Sequence, residues 1–167
     1  MKKWFLRTYL ILVPGLMISC FSNEIDFEDV TQENNIDVQT LLELVNDART
    51  TGTTCGSTYY PPVNELVANE KLEAAALAHS QDMMENDFFS HTSSNGDALT
   101  NRLADVDYSY LAAAENIAWG YTSEESVMAG WLTSEGHCAN IMNSAFTEMG
   151  VARVGNYWTQ VFGKPQE

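Results

Sequence analysis

The amino-acid sequence predicts an α+β layered fold, because helical patterns fill its front and middle and a β-hairpin pattern closes it, with no βαβ repeat between them. Val38, Leu41, Leu42 and Val45 recur at helical intervals, and Leu72, Ala75, Ala76, His79 and Met83 do so again further on. Met149 to Val154 and Tyr157 to Phe162 are β-rich runs separated by Gly155-Asn156, two residues able to take the positive φ angles of a tight hairpin.

Taken in order, residues 1–19 read as an export signal of lipoprotein type. Lys2, Lys3 and Arg7 precede an apolar run from Tyr9 to Ile18 that ends at Ser19 and Cys20. The run is about ten residues, half of what a bilayer span needs, and Pro14 and Gly15 interrupt it. Leu16-Met17-Ile18-Ser19-Cys20 resembles the bacterial lipobox, so Cys20 is expected to carry lipid; the alternative is ordinary cleavage nearby, leaving an odd thiol. Residues 20–36, with Glu24, Asp26, Glu28, Asp29 and Glu33, are expected to form an acidic flexible tether. Residues 37–163 are left for one folded domain, which suits a chain of 167 residues.

Within that domain the first helix, marked by Val38 to Val45, should end before Thr51-Gly52-Thr53-Thr54, and the second should start near Asn69 and form the core helix. Thr122 followed by Glu125 has capping-box spacing and opens a third helix, running to about Ser134, with Val127, Met128, Trp131 and Leu132 on one side.

Eight basic and 23 acidic residues give a net charge of −15, and removal of the signal with its three cations makes it −15 − 3 = −18. Such a field disfavours nucleic acid and anionic lipid surfaces, so membrane contact is expected through the lipid anchor only, and the protein is expected to be a monomer. Beyond Cys20 two cysteines remain, Cys55 and Cys138. In an oxidising compartment they are expected to pair, closing a long loop at a gain of about 4 to 5 kcal/mol. A two-thiol metal site is the alternative, although neither cysteine has a CxxC partner.

Four segments in order resemble the CAP family, also called the SCP domain. They are His79-Ser80-Gln81-Asp82-Met83 continuing to Phe88-Phe89-Ser90-His91; Ala114-Glu115-Asn116-Ile117-Ala118; Trp131 through Gly136-His137-Cys138-Ala139-Asn140-Ile141; and Tyr157-Trp158-Thr159-Gln160-Val161-Phe162. The resemblance implies a three-layer α-β-α sandwich with a central cleft, and Cys55 and Cys138 look like the disulfide pair of one bacterial branch. It implies His91 and His137 as the cleft histidines and Glu115 as its first acid. The family's second acid is replaced by Ser134, with Glu135 one step on, and Ala114 stands where glycine is common.

The resemblance further implies that His91, His137 and Glu115 could ligate zinc or another divalent cation, with Glu115 alternatively serving as base to a bound water. Ser134 activated by His137 would make a serine-type hydrolase, against its plainer role as a hydrogen-bonding group at a helix end. His79, on an apolar helix face, is expected to be a packed core residue, and Asn116 to hold a loop. Trp119, Trp131 and Trp158 are expected in the core and cleft wall.

Three function classes follow. The leading one is an exported cell-envelope module that binds a small apolar, lipid-like or metal-linked ligand or an envelope protein. The second is a metal-dependent hydrolase acting on peptide or cell-wall material, disfavoured by the missing acid. The third is a structural or adhesive surface protein.

Overall fold

The structure is a computed structural model that describes Asn34 and residues 36–166; the expected export signal, Cys20 and most of the expected acidic tether lie outside the described residues. Helix α1 (Val38–Thr51) begins where the Asp37 carboxylate accepts from the Thr40 amide at 3.1 Å, and it buries Leu41, Leu42, Val45 and Ala48. Strands β1 (Thr53–Cys55) and β2 (Thr58–Tyr60) form a small hairpin, and the two-residue strand β3 (Val67–Ala68) leads into helix α2 (Glu70–Glu85). Asn69 caps α2 by accepting from the Lys71 and Leu72 amides.

Helix α3 (Leu99–Asp105) and strand β4 (Tyr110–Trp119) follow, then helices α4 (Glu124–Thr133) and α5 (Glu135–Ile141) and strands β5 (Glu148–Val154) and β6 (Tyr157–Pro165). The α4 cap is one residue later than its sequence suggests: Ser123, in extended backbone, accepts from the Ser126 amide, and Ser126 accepts from the Ser123 amide, forming the capping box.

The main sheet has the order β3-β5-β6-β4, with β3 parallel to β5 and the other pairs antiparallel. The β5–β6 hairpin forms at the expected place, Val154 facing Tyr157. Of the two turn residues only Gly155 takes positive φ (58°), which suits a turn with glycine in its first central position, and Asn156 does not.

Side chains alternate across β6, and this alternation builds two cores. Trp158 and Phe162 pack with α1, α4 and α5 on one face; Val161 packs with Leu72, Ala75, Ala76 and Leu103 of α2 and α3 on the other. The result is the α-β-α layering. Helix α2 lies so close to β5 that a side chain at Gly150 would fall on the backbone of Leu72 and Glu73, so glycine here sets the layer spacing.

Arg49 is fully buried in α1 and ties the layers by donating to the carbonyls of Asn64 (2.7 Å), Ile141 (2.6 Å), Asn143 (3.0 Å) and Phe146 (3.3 Å). Burial lowers its pKa to about 10.

The folded body reaches back beyond the expected boundary at Asp37. Ile36 packs on the core, and the Asn34 amide donates to the Val151 carbonyl at 3.0 Å and accepts from the Arg153 amide at 3.0 Å. The strand β3 is too short to cover this part of β5, and the Asn34 side chain satisfies the edge in its place.

Candidate functional site

The segment between α2 and α3 carries His91, and three side chains hold it down. His79 of α2, with no exposed surface, donates from Nε2 to the Ser90 carbonyl at 2.8 Å. Asp82, one turn further on, accepts from the Ser94 amide at 2.8 Å and from its hydroxyl at 2.5 Å. Arg102 of α3 donates from Nη1 to the His91 carbonyl (3.2 Å) and the Ser93 hydroxyl (2.9 Å).

Arg102 also fixes the acid. Its Nη2 donates to Glu115 Oε2 at 2.6 Å, while Glu115 Oε1 accepts from His91 Nδ1 at 2.8 Å. The Glu115 and Arg102 side chains are 3% and 6% exposed, so this is a buried ion pair reaching a half-exposed histidine. A carboxylate only accepts, so His91 donates to it through a proton on Nδ1.

His137 approaches from the other side, on α5. Buried Asn116 of β4 donates to the His137 carbonyl at 3.2 Å and to Gln160 Oε1 at 3.1 Å, and accepts from Asn140 Nδ2 at 2.9 Å. That network makes Asn116 a structural tie between β4, β6 and helix α5 instead of the loop holder expected from the sequence. Cys138, next in sequence, is bonded to Cys55 of β1 with a Cα–Cα distance of 5.4 Å. The expected disulfide is therefore present, and the two-thiol metal site is not, because both sulfurs are used.

Beside these groups lies an open cleft of about 540 Å³. Its walls are Phe88 and Phe89 after α2, the end of β4 from Ile117 to Trp119, Tyr121, and Trp131 of α4, with Ser134, His137, Asp87 and Tyr157 as polar members. Trp131 is buried at the base, while Phe89 and Trp119 remain 54% and 58% exposed. Trp158 lies in the core beneath, donating to the Tyr121 carbonyl at 2.9 Å.

A family model for the cysteine-rich secretory protein family, CAP, matches residues 42–162. The chain belongs to the CAP family. Among relatives, a Bacillus subtilis (strain 168) protein named uncharacterized membrane protein YlbC is 42% identical over 89 residues, 53% of this chain and 26% of that protein. A solved extracellular protein containing a SCP domain from Bacillus anthracis is 31% identical with a TM-score of 0.68, covering 76% of this chain and 40% of that one. An outer surface protein of Borrelia burgdorferi shares the fold at 22% identity and a TM-score of 0.65, covering 77% of this chain and 92% of that one. The chain thus spans less than half the length of the two Bacillus proteins.

Both Glu115 oxygens are hydrogen-bonded, one to Arg102 and one to His91, so the carboxylate is placed to orient His91. No group of three or more His, Cys, Asp or Glu side chains that could hold a metal ion occurs among the described residues. Ser134 lines the cleft at the junction of α4 and α5, yet no hydrogen bond joins it to His137 among the described residues. Arg102 is the residue that sequence reasoning missed; an arginine at the start of a helical turn in a strongly acidic chain was the available clue.

Buried His79 and partly buried His137 make stability depend on pH. Burial lowers the pKa of His79, with the Glu115 carboxylate opposing, and burial followed by the nearby His91 lowers that of His137. The unfolded chain therefore binds protons that the fold refuses once pH drops below about 6.5. Stability is full above that value and falls as pH passes down toward the folded-state values. A thermal midpoint measured between about pH 7 and 5 should decline more steeply in the wild type than in a His79→Gln variant, which keeps a donor for Ser90. Equal slopes would remove His79 from this account.

Proposed function

We propose that this CAP domain is an exported cell-envelope binding module whose cleft takes a small apolar or lipid-like ligand. One observation carries the reading: a cleft of about 540 Å³ walled by aromatic and aliphatic side chains, with few polar groups. Small-molecule sites have this size and character. The hydrolase reading is weaker because the second acid of the family is replaced by Ser134, which has no hydrogen-bonded base among the described residues and so is not an activated nucleophile.

Export is supported by the signal pattern of residues 1–19 and by the extracellular relative from Bacillus anthracis. No helix among the described residues is long and apolar enough to cross a membrane. The lipobox at Leu16 to Cys20 supports lipid attachment at Cys20, so a Cys20→Ser variant should lose fatty-acid labelling and leave the membrane fraction. Retention of both properties would overturn the anchor.

The cleft is tested with N-phenyl-1-naphthylamine, a neutral apolar dye that brightens when buried. Binding to the wild type should be saturable, and Phe89→Ala and Trp119→Ala should each weaken it about tenfold by removing exposed wall surface without disturbing the core. Unchanged binding in both variants would contradict the reading.

A further inference from the structure

The cleft contains one fully charged side chain, and it is negative. Asp87 is the single Asp, Glu, Lys or Arg among the lining residues. It sits just past the C-terminal end of α2, whose last turn contains no basic residue to offset the partial negative charge of its carbonyls. Asp87 holds a left-handed backbone angle, φ 50°, an uncommon choice for a non-glycine residue, and its carboxylate is exposed. Its side-chain neighbour within the fold is the Tyr157 hydroxyl, at a long 3.5 Å. A carboxylate and a helix C-terminus together favour a cation at this end of the cleft and disfavour a fatty acid or a phosphate.

Aromatic rings supply the other half of the argument. Phe88, Phe89, Trp119, Tyr121, Trp131 and Tyr157 all line the same cleft. Electron-rich ring faces beside a carboxylate attract quaternary and alkylated ammonium groups, which are too weakly hydrated to resist leaving water. No lysine or arginine of the lining competes for those rings; Arg153, which lies over Trp158 at 5.0 Å, is not part of it. The net charge of −15 adds a long-range field of the same sign.

We propose that the ligand of this cleft is a cationic amphiphile, with an alkylammonium head at the Asp87 end among the aromatic rings and an apolar tail running toward Ile117, Ala118 and Trp131. The inference rests on the apolar-ligand reading above and narrows it to one head-group charge.

Three probes with the same decyl tail separate the two readings: decyltrimethylammonium, decanoate and the neutral decyl glucoside. Each is titrated calorimetrically into the purified chain at physiological salt, below its micelle concentration. The cationic probe should bind about tenfold more tightly than the other two. That preference should vanish in Asp87→Asn, since asparagine tolerates the left-handed backbone, and persist in Glu65→Gln, on a groove formed with α1. Equal binding of the three probes would overturn the charge preference and leave the apolar cleft standing. A preference that survives in Asp87→Asn would assign it to the charge of the whole molecule and also overturn the proposal. Failure of every probe to bind would overturn both readings.

Discussion

Replacing Arg102 with methionine is expected to destabilise the fold by about 3 to 5 kcal/mol, the cost of leaving a buried carboxylate without its partner. Glu115 has a 3% exposed side chain, and Arg102 Nη2 at 2.6 Å is the permanent cation beside it. Removing the guanidinium also frees the segment that Arg102 holds through the His91 carbonyl and the Ser93 hydroxyl. Urea unfolding of Arg102→Met should therefore show a large drop in midpoint, and amide exchange around Ser90 to Asp97 should rise. The double variant Arg102→Met with Glu115→Gln should recover a substantial part of the loss, because the uncompensated charge is gone. A loss below about 1 kcal/mol would mean that Glu115 is not held as a charged group, and the orientation assigned to His91 would fall with it.

The second large effect belongs to the disulfide. Cys55 and Cys138 are separated by 83 residues, and the bond fastens the β1–β2 hairpin to α5 immediately beside His137. Closing a loop of this length restricts the unfolded chain, so the Cys55→Ala, Cys138→Ala double variant should lose about 2 to 5 kcal/mol. Both sulfurs are buried, and the small cavities left by alanine add to the loss. Reductant should lower the thermal midpoint of the wild type toward that of the double variant and leave the variant unmoved. A wild type indifferent to reductant under denaturing conditions, with free thiols titrating in the folded protein, would contradict the bond.

Elements with their own periodicity could be read from the sequence alone. Helices α1 and α2 and the β5–β6 hairpin carry apolar residues at periods of 3.6 or 2, and they form where expected. Strand β4 was legible only as a motif, because alanines at positions 112–114 and the polar pair Glu115-Asn116 hide its alternation. It is a strand because β6 pairs with it from Tyr110 to Trp119, a tertiary cause that no local window contains. The short helices α3 and α5, of seven residues each, are likewise too brief to show a period.

The site shows the same division. His91, Glu115 and His137 were identified through resemblance, and the structure joins the first two by a direct hydrogen bond. Arg102 arrives from another helix to pair with Glu115, so the orienting role of Glu115 toward His91 was not legible in sequence. The cleft walls were half legible. Phe88 and Phe89 stood out as a motif, but the exposure of Trp119 at the end of β4, beside the burial of Trp131 on α4 and Trp158 on β6, is decided by tertiary packing.

The central claim, an apolar ligand in the cleft beside His137, is tested most directly by following the tryptophan indole N–H signals by NMR while N-phenyl-1-naphthylamine is added. Trp119 and Trp131 line the cleft, whereas Trp158 is fully buried and bonded to the Tyr121 carbonyl. The account predicts saturable shifts of the Trp119 and Trp131 signals with Trp158 nearly still. Saturable binding that leaves Trp119 and Trp131 unmoved would place the ligand elsewhere and contradict it.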